Sequence, residues 1–281
     1  MLFARALNKK VSQMEKLWEV YALKYADRHN RTRADSFIFD AHHDVEHPMD
    51  YFIWVLKSGD EIILVDTGYD SEEAQKRGRP IQQLPVKAIE ALGLTADDIT
   101  KIIITHLHYD HAGSLRDFPS AQLYVQPAEM AYATGPCMCE DVLRMPYTGA
   151  HICDALTALY SGRLTFTKID DVISQGVSVH CVGGHAKGLQ VVRVKTASGW
   201  LCLASDATHY YENFMARKPF PIVVDVEEML KGYDRLDELA SYKSLIIPGH
   251  DPLVTKLFPS WGESGFVWRL DGGMTGTLPD F

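Results

Sequence analysis

The chain has 281 residues, of which 46% are hydrophobic, 10% aromatic and 23% charged. These fractions are ordinary for a globular protein and exclude a disordered chain, a collagen-like repeat and a coiled-coil rod. With 28 Lys and Arg against 37 Asp and Glu, the formal net charge is −9, which disfavours a protein that binds nucleic-acid backbones.

The N-terminus and the cysteines bear on where the protein works. Residues 1–20 (MLFARALNKKVSQMEKLWEV) have neither a continuous apolar stretch nor a small-residue cleavage site. No apolar run in the sequence is long enough to span a bilayer. The five cysteines form an odd set without a C-x-x-C pair. We therefore expect a soluble, cytoplasmic protein with reduced thiols.

The first part of the chain is dominated by predicted strands. Residues 1–16 are predicted to be a lead-in without function, and residues 17–281 a single domain. Alternating apolar residues predict strands at WEVYALKYA (18–26), SFIFDA (36–41) and YFIWVLKSGDEIILVDTG (51–68), where the last segment is two strands joined by a Ser-Gly-Asp turn.

Helices and short apolar strands then alternate. The next predicted elements are a helix at 84–92 ended by Gly93, a capping box at 95–98 (TADD), a buried strand at 101–105 (KIIIT), a strand at 122–126 (QLYVQ) and a helix at 127–133. Residues 137–165 have no clear periodicity, and we interpret them as an insertion that covers the functional site.

The second half repeats the alternation of strands and helices. Strands are predicted at 177–182 (VSVHCV), 189–196 (LQVVRVKT), 199–206 (GWLCLASD) and 244–250 (SLIIPGH). Between the last two, residues 225–240 have the apolar spacing of an amphipathic helix, with Asp225 as its N-cap.

The most informative motif is THLHYDHAG at residues 105–113. In an extended segment, residues two apart point to the same side, so His106 and His108 can bind one metal ion. After a turn, Asp110 and His111 can face a second ion. Imidazole and carboxylate are ligands that suit Zn, Fe or Mn in hydrolytic sites. Since the whole chain has only 12 histidines, a chance cluster of three is improbable.

Two metal sites need more ligands than this motif supplies. Three candidates follow predicted strands, namely His185 in CVGGHAKG, Asp206 in WLCLASD and His250 in IIPGHDP. A single histidine or aspartate at a strand end is more often a packing or turn residue. Their joint occurrence after the first motif is what makes them candidate ligands.

The segments HLHYDH, LVDTG, GGH, SD and PGH together resemble the metallo-β-lactamase superfamily, and within it most closely the N-acyl homoserine lactonase group. The resemblance covers the chain from about Tyr51 to His250. It implies an α/β fold of the αββα type, in which two mixed sheets lie face to face with helices outside. It also implies two divalent metal ions per chain, zinc first, with iron, manganese and cobalt as alternatives.

The resemblance also assigns roles to individual residues. One metal would be bound by His106, His108 and His185, the other by Asp110, His111 and His250, and Asp206 would bridge them. Asp66 would support the ligands from outside, although a turn aspartate is an alternative interpretation. A water shared by two such ions becomes a hydroxide nucleophile near neutral pH, and Asp110 can pass a proton to the departing alkoxide.

The substrate is less well determined, because such a site can hydrolyse esters, lactones, amides, thioesters or phosphodiesters. Leu107 and Tyr109 are predicted to place apolar and aromatic surface beside the metals and to contact the substrate. The stretch DAHHDVEHPMDYFIW can form a pocket wall, although sheet core is the favoured interpretation. We expect a small lactone or ester as the partner, no nucleic acid and no membrane, and leave a homodimer open.

The loop after Asp206 departs from the family pattern. Acyl homoserine lactonases have a tyrosine three residues after the bridging aspartate, where it hydrogen-bonds the lactone carbonyl. Here that position is His209, and Tyr210 follows it. A histidine N–H can donate the same bond. We predict His209 in this role because no insertion is needed, with Tyr210 as the alternative.

Other branches of the superfamily fit less well. Penicillin hydrolases commonly lack the bridging aspartate, and RNA-processing members conflict with the net charge of −9. A glyoxalase II-like thiolesterase would need a basic helical domain after His250, where the remaining chain is short. A mononuclear iron persulfide dioxygenase would use only the equivalents of His106, His185 and Asp206. A non-enzymatic binding protein has no need of the full ligand set. The thiolesterase and the dioxygenase remain the alternatives to a lactonase.

Overall fold

A computed structural model describes residues 15–281, so that most of the predicted lead-in lies outside the described residues. The strands are β1 (Glu19–Arg28), β2 (Met49–Ser58), β3 (Glu61–Val65), β4 (Lys101–Ile103), β5 (Gln122–Val125), β6 (Leu164–Phe166), β7 (Asp170–Ser174), β8 (Val177–Cys181), β9 (Gln190–Thr196), β10 (Gly199–Ser205), β11 (Ile246–Pro248) and β12 (Val267–Arg269). The α-helices are α1 (Ser71–Arg77), α2 (Pro85–Ala88), α3 (Pro127–Ala133), α4 (Asp141–Arg144), α5 (Gly149–Tyr160), α6 (Tyr211–Met215), α7 (Val226–Leu239) and α8 (Leu253–Leu257). Short 3-10 helices lie at Arg33–Asp35, Ile89–Leu92, Ala96–Asp98, Leu115–Asp117, Pro136–Cys139 and Lys243–Leu245.

The strands form two mixed sheets. The first has seven strands in the order β12-β1-β2-β3-β4-β5-β6, and the second has five in the order β11-β10-β9-β8-β7. In the first sheet, pairing is antiparallel from β12 to β3 and parallel from β3 to β6. In the second, only β10 and β11 pair in parallel. Two mixed sheets flanked by helices confirm the predicted fold.

Successive residues of β2 contact different parts of the core. Phe52 and Trp54 belong to a cluster shared with β9 and β10, which therefore lies between the two sheets. Ile53 and Val55 belong to a second cluster, shared with α2, α3 and α5. Since neighbouring side chains of a strand point to opposite faces, a strand covered on both sides has no polar face. This explains the uninterrupted apolar run YFIWVL.

The chain reverses between β2 and β3 as predicted. Ser58 pairs with Glu61, so that Gly59 and Asp60 form a two-residue turn. Gly59 takes φ 60°, a conformation in which a side chain would be strained. Farther on, the helix predicted at 84–92 is divided into α2 and a 3-10 turn, and Gly93 with φ 71° ends it.

The strand predicted for SFIFDA is wrong. The segment forms turns instead, in which the ring of Phe37 is buried and that of Phe39 is fully exposed. The guanidinium of Arg33 binds the carboxylates of Asp40 (Nε to Oδ2, 2.7 Å) and Glu212 (Nη2 to Oε1, 2.7 Å) and holds the segment against α6. The hydrophobic pattern was misleading because ion pairs that fix a loop leave no mark on apolar periodicity.

Residues 137–165 are more than an insertion. They include α4 and α5 and reach β6, which completes the first sheet by pairing with β5. Between α4 and α5, Met145 and Pro146 line the cavity described below, in keeping with a cover over the site. The described residues contain no helix both long and apolar enough to cross a bilayer.

The helix α7 packs against β10 and begins at the predicted cap. The carboxylate of Asp225 accepts a hydrogen bond of 3.1 Å from the backbone N–H of Glu228. We expect Asp225→Ala to lower the free energy of unfolding by about 1 kcal/mol, because one N–H of the first turn loses its partner. Urea denaturation measures this change. The control Glu227→Ala removes the same charge from the same turn without touching the cap, and an equal loss in both variants would contradict the capping role.

Candidate metal centre

The predicted ligands meet where strands of both sheets end. His106, His108, Asp110 and His111 follow β4, His185 follows β8, Asp206 follows β10 and His250 follows β11. All of them are buried. The strand ends therefore bring together every residue that the sequence assigned to metal binding.

Three imidazoles form the first half of the cluster. The Nδ1 atom of His108 lies 3.0 Å from Nε2 of His106 and 2.8 Å from Nε2 of His185. The Oδ2 atom of Asp206 lies 3.2 Å from Nε2 of His185 and 3.8 Å from Nε2 of His106. Each nitrogen ligand of a tetrahedral zinc ion lies about 2.0–2.1 Å from the metal. Two such nitrogens are therefore only slightly farther apart than the histidine nitrogens of this cluster.

The second half of the cluster lies on the other side of Asp206. Its Oδ1 atom is 3.3 Å from Nε2 of His111 and 3.0 Å from Nε2 of His250. The carboxylate of Asp110 lies 3.8 Å from Nε2 of His250 and 4.0 Å from Nε2 of His111. The two oxygens of Asp206 thus face different groups of imidazoles.

The cluster fits divalent cations. Among the described residues, Oδ1 of Asp206 and Nε2 of His111 are buried polar atoms without a hydrogen-bond partner. Leaving such atoms unsatisfied costs about 1–3 kcal/mol each, more for a charged group. A cation between them would satisfy both. The histidine and aspartate donors of each half are those that zinc and related metals prefer.

The outward-facing nitrogens of three ligand imidazoles are held by hydrogen bonds. The Nδ1 atom of His111 contacts Oδ2 of Asp66 at 2.7 Å. The Nδ1 atoms of His185 and His250 contact the backbone carbonyls of Ile222 at 2.6 Å and Asp50 at 2.8 Å. An acceptor at Nδ1 places the ring proton there and leaves the Nε2 lone pair facing the cluster.

Asp66 takes the position in which the sequence placed it. It follows β3 with φ 61°, an uncommon conformation for a residue other than glycine. Its carboxylate accepts bonds of 2.8 Å from the backbone N–H and the hydroxyl of Thr105 as well as contacting His111. These bonds offset the strain and orient the carboxylate toward the imidazole.

Burial and neighbouring charges set the protonation of the cluster. Burial, with the adjacent His111 and His108, holds the pKa of His106 well below its usual range. Burial also lowers the pKa of His111, but the carboxylates of Asp206, Asp66 and Asp110 outweigh it and raise that pKa well above the usual range. A metal ion needs the deprotonated imidazole, so binding would release the proton of His111.

Glu129 is a site residue that the sequence did not reveal. It lies on α3 and is fully buried. Its Oε1 accepts bonds of 3.0 Å from the backbone N–H of Leu107 and the hydroxyl of Tyr147, and its Oε2 accepts one of 2.9 Å from the N–H of Gly188. Glu129 therefore ties the loop of His106 and His108 to the loop of His185. Its sequence context, a polar residue early in a helix, carries no signal of this role.

A cleft opens onto the cluster. Tyr109 lines it, as predicted, and so does His209, whose Nε2 lies 3.0 Å from Oδ2 of Asp206 and whose ring stacks on Phe220 at 3.6 Å. With His185 and Asp206, His209 forms a further group of atoms close enough to bind one ion. Donation to a substrate and binding to a metal are thus both open to His209.

Two predicted substrate residues lie away from this cleft. The hydroxyl of Tyr210 donates to the carbonyl of Pro48 at 3.2 Å, and its ring packs on His47. The prediction for Leu107 is wrong, because its side chain is fully buried in the apolar cluster that α3 and α5 share. In the extended motif, a residue between two inward-facing histidines necessarily points to the opposite side.

Residues 48–255 match the sequence model of the metallo-beta-lactamase superfamily. Because this match spans most of the chain, the protein belongs to that superfamily and is a metallo-hydrolase by class. Divalent metals are the cofactors of this family, which agrees with the donor set of the cluster.

Individual relatives narrow the comparison. The chain is 27% identical over 220 residues to a probable metallo-hydrolase of Mycobacterium bovis, with 71% of each protein covered. It is 28% identical over 217 residues to an N-acyl homoserine lactonase of Bacillus thuringiensis, covering 70% of this chain and 80% of the relative. A solved quorum-quenching N-acyl homoserine lactone lactonase superposes with a TM-score of 0.71 at 24% identity, over 85% of this chain and 94% of the other. A dizinc quorum-quenching lactonase gives 0.68 at 18% identity, over 94% and 96%. Both solved structures therefore have the same fold as this chain.

The contact between Asp66 and His111 can be tested directly. Asn tolerates a positive φ, so Asp66→Asn removes the charge and keeps the backbone conformation. We expect a loss of metal affinity of about 10- to 100-fold, because His111 loses the partner that fixes its ring and raises its basicity. Competition with a chelator of known affinity measures it. Asp97→Asn, on an exposed 3-10 helix, serves as the control. Unchanged affinity in Asp66→Asn would show that the contact does not support metal binding.

Proposed function

We propose that this protein is a dinuclear metal-dependent hydrolase that opens the ring of a small lactone. The observation that carries the proposal is the position of Asp206, whose Oδ2 faces His185 at 3.2 Å and whose Oδ1 faces His250 at 3.0 Å. A carboxylate that faces one ligand group with each oxygen suits two ions rather than one. The sequence similarity to an N-acyl homoserine lactonase supports lactones among the bonds that such a centre can hydrolyse.

The chain would bind one ion through His106, His108 and His185 and the other through Asp110, His111 and His250, with Asp206 common to both. Two divalent ions supply a hydroxide nucleophile near neutral pH and a Lewis acid for the scissile carbonyl. The protein itself favours the neutral form of His106 and His108, since burial holds the pKa of each well below its usual range. It fixes the rings of His111, His185 and His250 through their outer hydrogen bonds.

Two side chains of the cleft suit the remaining chemical steps. Asp110 contacts its neighbouring imidazoles only at 3.8–4.0 Å and lines the cleft, so that one oxygen is available to carry a proton to the alkoxide that leaves when the ring opens. His209 borders the same cleft and has a buried Nδ1 without a hydrogen-bond partner among the described residues. A rotation of this ring would offer an N–H to the substrate carbonyl as negative charge develops there.

The two rival functions are less well supported. A mononuclear iron dioxygenase would leave Asp110, His111 and His250 without a purpose, yet all three are buried and lie within ligand distance of one another. The sequence similarity to an N-acyl homoserine lactonase favours a lactone over the thioester that a thiolesterase would hydrolyse.

Metal analysis joined to a substrate panel tests the proposed function. We expect close to two metal ions per chain and hydrolysis of a lactone that stops when a chelator strips the metals, because the nucleophile is lost with them. His250→Ala should abolish turnover while circular dichroism shows folded strands. Rapid cleavage of S-lactoylglutathione without any lactone turnover would favour the thiolesterase. One iron per chain, with oxygen consumed in the presence of a persulfide, would favour the dioxygenase.

The role of His209 has its own test. We expect His209→Ala to lower kcat about 100-fold or more, the usual cost of losing one donor to the developing oxyanion. Tyr210→Phe should be nearly silent, since the Tyr210 hydroxyl already donates to Pro48. Steady-state kinetics and metal content are measured together. Loss of a metal in His209→Ala would make His209 a ligand instead, and a silent His209→Ala beside a slow Tyr210→Phe would reverse the assignment.

A further inference from the structure

Three arginines from two parts of the chain line the cleft of the metal centre. Arg28 is the last residue of β1, Arg31 lies in the following loop, and Arg79 lies just beyond α1. They share the cleft with Asp110 and His209. In a chain with a net charge of −9, such a concentration of positive charge at one cleft calls for a physical reason.

None of the three guanidiniums has a carboxylate partner. Among residues 15–281, no carboxylate oxygen lies within 4.0 Å of Arg28, Arg31 or Arg79. The nearby Arg33 and Arg77, by contrast, are both paired with acidic side chains. The cleft arginines thus make no direct ion pair with the protein, although the charge of Asp110 acts on Arg79 from a greater distance.

Neutral contacts hold two of them in place. The Nη2 atom of Arg31 donates to the carbonyl of Asp35 at 2.9 Å and to the hydroxyl of Ser36 at 3.3 Å. The Nη1 atom of Arg79 donates to the hydroxyl of Tyr109, and its guanidinium lies 5.0 Å from the centre of that ring. Such contacts orient a guanidinium without neutralising it.

Arg31 gives the strongest sign of a missing partner. Arg31 is only 6% exposed, and its Nε atom is buried without a hydrogen-bond partner among the described residues. Burying a guanidinium that is neither paired nor fully hydrogen-bonded is costly. Placing three like charges along one cleft adds to that cost. An anion bound in the cleft would relieve both.

We infer that the substrate carries an oxyanion group, a carboxylate or a phosphate, which Arg28, Arg31 and Arg79 bind while the scissile carbonyl lies at the metal centre. Guanidinium forks match the planar, bidentate geometry of carboxylates and the oxygens of phosphates. This inference rests on the proposed function. It also makes the neutral N-acyl homoserine lactones poor substrates of this protein.

Matched pairs of lactones test the charge requirement. In the first pair, γ-butyrolactone with a carboxylate on its γ-carbon is compared with the corresponding carboxamide. In the second pair, γ-butyrolactone with a phosphooxymethyl group on that carbon is compared with the corresponding alcohol. Hydrolysis adds water across the acyl C–O bond of the ring and gives a hydroxy carboxylate and one proton, which a pH indicator detects. We expect kcat/KM to be at least about tenfold higher for one charged lactone than for its neutral match, because hydrogen bonds between two charged groups are stronger than those to a neutral group. The preferred pair identifies carboxylate or phosphate.

Variants assign the preference to the arginines. Arg28→Gln and Arg79→Gln should each bring the ratio of kcat/KM between the charged and the neutral member of the preferred pair close to 1. The control Arg116→Gln makes the same charge change at an exposed residue paired with Asp154 outside the cleft. Equal kcat/KM for charged and neutral lactones, with rapid turnover of both, would overturn the inference and leave the lactonase intact.

Calorimetry keeps the two proposals separable if no lactone is hydrolysed. Glutarate and butyrate are titrated into the protein as purified with its metals, since they differ by one carboxylate. Glutarate binding at least about tenfold tighter than butyrate, with the difference lost in Arg28→Gln and Arg79→Gln but kept in Arg116→Gln, would support the anion site although the lactonase proposal had failed. Equal binding of the two acids would overturn it.

Discussion

The geometry of the metal centre depends on the contacts of one buried carboxylate, that of Asp206. Its Oδ2 lies 3.0 Å from His209 and its Oδ1 3.0 Å from His250, so that it contacts imidazoles from both directions. Burial raises the pKa of Asp206, but His250, His111 and His209 outweigh it and keep that pKa well below the usual range. The surrounding backbone must leave room, since a Cβ at Gly249 would lie 2.6 Å from Oδ1 of Asp206.

Two other buried carboxylates connect the cluster around Asp206 to the rest of the fold. Asp66, at the end of β3, fixes the ring of His111, and Glu129, on α3, joins the backbone of the first ligand loop to that of Gly188. A side chain at position 188 would collide with Glu129, since its Cβ would lie 2.3 Å from the Glu129 nitrogen. Ser205, with φ 46°, is joined to this network through its hydroxyl, which lies 2.9 Å from the Thr105 hydroxyl that donates to Asp66.

The local sequence pattern was sufficient to predict structure wherever neighbouring residues determine the conformation of a segment. The alternation of His106 and His108 determines that both face the same way, and the apolar runs of β2 and β4 follow from burial on both faces. The N-cap of α7 was also predicted correctly from Asp225. The strand prediction for SFIFDA failed because Arg33 binds Asp40 of the segment together with Glu212, which lies 179 positions from Arg33.

The sequence by itself therefore indicated the fold class through its resemblance to a known family, and the candidate ligands through short-range spacing and positions at the ends of strands. Tertiary structure decided what surrounds them. Only packing shows that Tyr210 bonds to Pro48 and that Arg31 and Arg79 meet in one cleft. These arrangements depend on contacts between distant segments, and no periodicity or motif encodes the place where separate loops come to lie side by side.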